Sequence, residues 1–174
     1  MQFTMTTILA AALATLASSA AVGKRATSRL TLETSSTGLD GLVYRELIYS
    51  ASSVFIGNLK YANTAEPLLL SGGAGGFTFT SFHSSPTGYQ SMLIFPDESK
   101  PIGFTIPHSM AIPAGATATG FSQDGTSLLF NAEKKWKACP VAETAGTWQI
   151  YWDGAACLTD CVAIDLTVKN NCDA

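Results

Sequence analysis

Charge is scarce in this chain. Ten Lys and Arg and 13 Asp and Glu among 174 residues amount to 13%, about half the usual ~25%, so a long helix with a charged, solvated face is not expected. Basic stripes are missing as well. A formal net charge of −3 and a pI near 5.2 remove the attraction on which nucleic-acid affinity rests, and no polynucleotide partner is expected. Cysteine is absent before residue 139. Beyond residue 25 no apolar run approaches 18 residues, so no membrane helix is expected after removal of a leader. The polar end Val168 to Ala174 lacks the hydrophobic tail of a lipid-anchor signal. No P-loop, dinucleotide fingerprint, His-Glu-x-x-His or Gly-x-Ser-x-Gly motif occurs, and neither a cofactor nor a catalytic set is expected.

What is present describes a folded, secreted domain. Hydrophobic residues make up 47% and the mean hydropathy is +0.22, which excludes a disordered chain. The first 21 residues carry no charge and hold an apolar Ile8 to Ala17 stretch followed by Ser18-Ser19-Ala20-Ala21. This reads as a signal peptide over residues 1–20. Residues 21–25 then form a short propeptide ending in the dibasic site Lys24-Arg25. Cleavage there leaves residues 26–174, a single β domain with 10 less 2 basic side chains against 13 acidic ones, a formal charge of −5.

Short strand-like segments recur along that domain: 29–34, 42–49, 54–59, 76–82, 90–95, 103–106, 127–130, 135–139, 147–152 and 161–168. Turn formers such as Ser85-Pro86-Thr87-Gly88 and Asp124-Gly125 separate them. Alternation is clearest in Phe77-Thr78-Phe79-Thr80-Ser81-Phe82, which places Phe77 and Phe79 on one face and Thr78, Thr80 and Phe82 on the other. Gly72-Gly73-Ala74-Gly75-Gly76 lacks a following Lys and helix and reads as a hairpin connector. The expected fold is all-β: a single-domain antiparallel β-sandwich or open barrel.

Chemistry is sparse. His83 and His108 are the neutral-pH bases of the domain, and a hydrolase would require one of them to converge with a serine and a carboxylate in a pocket. Serines number 17, so a neighbouring His-Ser pair is expected by chance. The carboxylates Asp40, Asp97, Asp124, Asp153 and Asp160 fall at turns, where capping is their default role. Cys157-x3-Cys161 could hold zinc, but no His lies nearby and a secreted chain is oxidised, so no metal site is expected. Trp148-Gln149-Ile150-Tyr151-Trp152 puts both tryptophans on one face. Outward, that face with Trp136 is a platform on which sugar rings stack; inward it is core, and Trp136 one strand earlier favours the core.

Several segments together point to a family. Leu42-Val43-Tyr44-Arg45, Ser52-Ser53-Val54-Phe55-Ile56-Gly57, Pro101-Ile102-Gly103-Phe104-Thr105, Gly120-Phe121-Ser122, Leu128-Leu129-Phe130, Ala138-Cys139-Pro140, Trp148-Gln149-Ile150-Tyr151-Trp152 and Asp160-Cys161-Val162-Ala163-Ile164 resemble the small secreted fungal cell wall proteins of the PhiA-like group. That group is named for a role in forming conidium-bearing phialides, and some members are called IgE-binding proteins. The resemblance spans Leu30 to Cys172 and is most specific in the C-terminal third. It implies a secreted, non-enzymatic, cell wall-associated protein contributing to wall assembly or asexual (phialide, conidial) development, with wall polysaccharide or wall proteins as partners. The alternative is a carbohydrate-binding or host-interacting module using an exposed tryptophan face. Unlike its relatives, this chain has no cysteine in its N-terminal half, Cys157 is additional, and no Asn-x-Ser/Thr glycosylation site occurs.

Four cysteines, Cys139, Cys157, Cys161 and Cys172, imply two disulfides in a secreted chain. If the strands over 135–139, 147–152 and 161–168 form a meander, Cys139 and Cys172 share one side of the sheet and Cys157 and Cys161 the other. The expected bridges are then Cys139–Cys172 and Cys157–Cys161. Without a simple meander, the cysteines of the family's Ala-Cys-Pro and Asp-Cys-Val segments would instead pair with each other.

Overall fold

The computed structural model describes residues 29–35, 45–57, 64–73, 75–83, 88–142, 144–154 and 158–171. They form fourteen strands: β1 Arg29–Thr34, β2 Ile48–Ser50, β3 Ser53–Gly57, β4 Glu66–Pro67, β5 Leu69–Gly73, β6 Gly76–Thr80, β7 Tyr89–Leu93, β8 Gly103–Phe104, β9 Phe121–Asp124, β10 Ser127–Phe130, β11 Trp136–Pro140, β12 Thr147–Trp152, β13 Val162–Ile164 and β14 Leu166–Asn171. Among the described residues there is no helix. The all-β, antiparallel expectation holds.

The strands hydrogen-bond in the order β13-β11-β12-β3-β8-β7-β6-β5-β1-β14-β10-β9, with β2 on β3 and β4 on β2. This single sheet does not close, yet it must curl. Asp165 alone separates β13, at one end of the order, from β14, near the other, and successive Cα atoms stand only ~3.8 Å apart. The two ends therefore face each other. The Trp136 Nε1–H donates to the Leu128 carbonyl of β10 at 2.8 Å, and the Trp152 and Phe130 rings meet edge to face at 4.9 Å.

Alternation supplies the core. Phe77, Phe79, Ile56, Leu128, Phe130, Ile150 and Leu166 point inward and are buried. Two aromatic groups occupy this interior. Trp136, Trp152, Phe130, Phe121 and Phe77 form a chain of edge-on contacts, while Tyr49, Phe79 and Phe104 form a separate triad with centroids 4.4–5.5 Å apart. Glycine is required at Gly57, where φ is +102° and a Cβ would stand 2.0 Å from the Gly146 carbonyl oxygen. A side chain there would push β12 off β3, whose ladder ends in the Gly57–Thr147 pair.

The expected meander is corrected. Strand β13 pairs with β11, not with β12, and the 161–168 segment is two strands in different parts of the sheet. Ile164, Leu166 and Val168 all stay buried while Asp165 is exposed, so the inward face runs unbroken through the bend. The Asp165 carbonyl accepts from Ser35 N–H at 2.9 Å, fixing the crossing point.

Candidate functional site

Cysteine pairing changes with the meander. Continuing the β11–β13 register Trp136–Ile164, Lys137–Ala163, Ala138–Val162 sets Cys139 opposite Cys161, and these two form a disulfide with Cα atoms 4.2 Å apart. Both expected bridges, Cys139–Cys172 and Cys157–Cys161, are thereby overturned. The pairing between the Ala-Cys-Pro and Asp-Cys-Val segments replaces them. Cys157 and Cys172 lie outside the described residues, as do Lys24, Arg25 and the 1–25 leader.

The tryptophans go inward. Trp136 is 1% exposed and Trp152 4%, stacked edge to face at 4.8 Å, so neither can present a sugar platform. Trp148 is half-buried and packs against the same core. The exposed rings lie elsewhere: Phe82 is 66% and Tyr89 44% exposed, with Ile106 at 76% and Met110 at 78%.

Those residues come from neighbouring segments. Thr80 of β6 pairs with Tyr89 of β7, which places Phe82 just past the same end of the hairpin. The Tyr89 carbonyl accepts from His108 N–H at 3.0 Å, and Ser109 N–H closes the following turn onto the Ile106 carbonyl at 2.9 Å. The His108 ring stands edge-on to Tyr89 at 6.0 Å and fills the space where a Gly88 side chain would be. His108 thus packs against the hairpin. Ile106 and Met110 project from a loop with no charged side chain between Pro101 and Gln123.

Glu66 is the feature the sequence does not advertise. It is buried, and its carboxylate accepts from the Ser81 hydroxyl through Oε1 and from Phe82 N–H through Oε2 at 2.8 Å. Ser81 Oγ in turn accepts from His83 N–H at 3.1 Å. Thus β4 clamps the chain where it leaves β6. Beyond the clamp alternation continues: Thr80 and Phe82 line one cleft, with Arg29, Leu69 and Ser71. Ser81 and His83 line another, with Tyr49, Ala51, Ser52 and Thr64. The clefts measure about 250 and 170 Å³. Beside the smaller one, Gln90 Nε2–H donates to the Thr105 carbonyl at 2.8 Å, and Gln90 lies 3.3 Å from the Tyr49 hydroxyl.

Serine, histidine and carboxylate do meet here, but in the wrong order for acyl transfer. A triad needs the imidazole between the other two. Here the carboxylate bonds Ser81 directly, and His83 joins through its backbone. Elsewhere, burial raises the Tyr151 phenol above its ordinary value of 10.0. No three His, Cys, Asp or Glu converge as metal ligands among the described residues. In comparisons with known proteins, no family, curated protein or solved structure matches this chain.

Proposed function

We propose that this is a secreted, non-enzymatic protein that associates with the fungal cell wall and contributes to wall assembly or asexual development. One observation carries the reading: Phe82, Tyr89, Ile106 and Met110 are solvent-exposed on a surface whose strands and loops, from Pro67 to Pro96 and from Pro101 to Gln123, contain no Lys, Arg, Asp or Glu. Exposed apolar surface with a hydroxyl-rich surround suits adsorption to an uncharged carbohydrate matrix. The family resemblance is strongest in the C-terminal third, where Ala138-Cys139-Pro140 and Asp160-Cys161-Val162 supply the disulfide. A sugar-binding role by this route uses Phe82 and Tyr89 instead of tryptophan.

Cosedimentation of the secreted protein with isolated fungal walls, insoluble β-glucan and chitin tests this. Retention on the neutral polymers, β-glucan and chitin, should survive high salt, because apolar contact with an uncharged sugar involves no ion pair. Phe82→Ser combined with Ile106→Ser and Met110→Ser should cut it at least tenfold. A protein that stays in the supernatant with all three materials, or a triple variant retained like the parent, defeats the reading.

A further inference from the structure

We propose that the larger cleft, between β1, β5 and β6, is a subsite for a carboxylate-bearing pyranose, a uronic acid at a chain end or branch. It deepens the wall-associated reading above and rests on it. Four observations meet in this cleft. The Arg29 side chain lines it and makes no ion pair or hydrogen bond with any described residue, while β5 and β6 carry no charge of either sign. Its guanidinium is therefore the one charged group among the five lining residues. A guanidinium presents paired N–H donors in a fork that matches a carboxylate, which a neutral sugar cannot equal.

Phe82 forms the second element. Its ring is 66% exposed, and the buried Glu66 holds its backbone N–H and the neighbouring Ser81 hydroxyl. The buried carboxylate thus anchors the backbone that carries this exposed ring, which is available to stack on the C–H face of a pyranose. The Ser71 and Thr80 hydroxyls are the third element. Both line the cleft, and neither hydroxyl hydrogen-bonds to another described residue; the Thr78 Oγ1–H bond at 3.2 Å goes to the Ser71 carbonyl. They are left to meet ring hydroxyls. Size is the fourth. About 250 Å³ lies below the ~300 Å³ at which drug-sized pockets begin, enough for a single ring and not for a buried oligosaccharide. Leu69 completes the apolar floor.

Titration of the secreted protein with a galacturonic-acid trisaccharide, followed by amide NMR shifts and calorimetry, tests the site against a neutral glucose trisaccharide and a tri-glutamate peptide. The acidic sugar should move the amides of Ser71, Thr80 and Phe82 and bind at least tenfold more tightly than either control. Arg29→Gln should erase that margin over the neutral sugar, Arg29→Lys should leave part of it, and Phe82→Ser should weaken both sugars. Lys100→Gln, at a lysine already paired with Glu98, should change nothing. Equal affinity for acidic and neutral sugars, a margin that survives Arg29→Gln, or a peptide that binds as well as the sugar overturns the subsite. Wall retention without any acidic preference removes the subsite and leaves the wall role standing; acidic preference without wall retention does the reverse.

Discussion

The β11–β12–β13 ladder and the region of the charge-free strands β5, β6, β7 and β8 bury similar aromatic side chains but finish their surfaces in opposite ways. The ladder is edged with ions: Lys137 pairs with Asp153 at 2.8 Å and Lys135 with Glu133 at 2.9 Å. It is tied across by Cys139–Cys161, and its large rings, Trp136 and Trp152, are interior. Strands β5 to β8 themselves carry no charged side chain, and the Lys100–Glu98 pair sits in the turn between β7 and β8. Hydroxyls of Ser71, Thr78 and Thr80 cover these strands, and Phe82, Ile106 and Met110 stand in water. Aromatic content alone thus misleads about binding, since the ladder spends its rings on stability and the other region leaves some unspent.

If that division is right, the ladder should be the more fragile under truncation. Trp152→Ala should cost about 3–5 kcal/mol, the range for deleting a buried large ring, because Trp152 touches both Trp136 and Phe130. Thermal and denaturant melts read it directly. A cost under about 1 kcal/mol would mean the ladder's rings are not central to the core. The disulfide comes next. Replacing Cys139 and Cys161 together by Ser opens a loop with a sequence separation of 22, worth about 3 kcal/mol in the chain-entropy treatment. Non-reducing peptide mapping should first recover a Cys139–Cys161 peptide, and a Cys139–Cys172 peptide would restore the meander.

Glu66→Gln probes the other region at a smaller scale. The amide can replace only one carboxylate oxygen as an acceptor, leaving an NH2 facing either the Ser81 hydroxyl or Phe82 N–H. The expected loss is about 1–3 kcal/mol. Phe82 should become mobile on the nanosecond scale, visible as a lower amide order parameter. Unchanged stability together with an unchanged order parameter would show that the clamp does not position the ring.

Much of the architecture was legible because alternation is a local signal. Strands over 29–34, 127–130 and 147–152 match to the residue, and Phe77, Phe79 and Phe82 face the sides their spacing demands. What failed was non-local. Val162 to Val168 keeps one inward parity through Asp165, so nothing in its pattern marks the change of partner from β11 to β14. That hidden bend misplaced the disulfide. Strand β4, two residues with Pro67, and the glycine-rich β5 carry weak strand signals, yet β4 holds Glu66. A lone Glu before Pro gives no hint that a residue 15 positions later, just past the end of β6, will bond to it. The larger cleft was missed for the same reason: Arg29 and Phe82 are far apart in sequence, and only the β1–β5–β6 pairing joins them.

Surface substitutions should separate adsorption from folding. Ile106→Ser with Met110→Ser removes two exposed apolar side chains and should shift stability by no more than about 0.5 kcal/mol per site, while retention on a hydrophobic-interaction column falls clearly. A loss of several kcal/mol would place these side chains in the core after all and erase the contrast between the regions.

The smallest effect lies where the two regions touch. Ile102 N–H donates to the Ile150 carbonyl at 2.9 Å, and Pro101 bridges to Tyr151, so the start of the charge-free loop continues the β3 side of β12. Burial there raises the Tyr151 phenol above its ordinary value of 10.0, because desolvation disfavours the phenolate. In the unfolded chain the phenol ionises first as pH passes 10, so the unfolded state binds fewer protons than the native state between the ordinary and the raised value. Native stability therefore falls with rising pH across that window and is untouched below it. Tyr151→Phe, which gives up only a 3.3 Å hydrogen bond to Gln149, should melt almost like the parent at pH 7 and lose less stability between pH 9 and 11. Parallel curves over that range would mean the phenol is solvated and that Pro101 does not seal the seam.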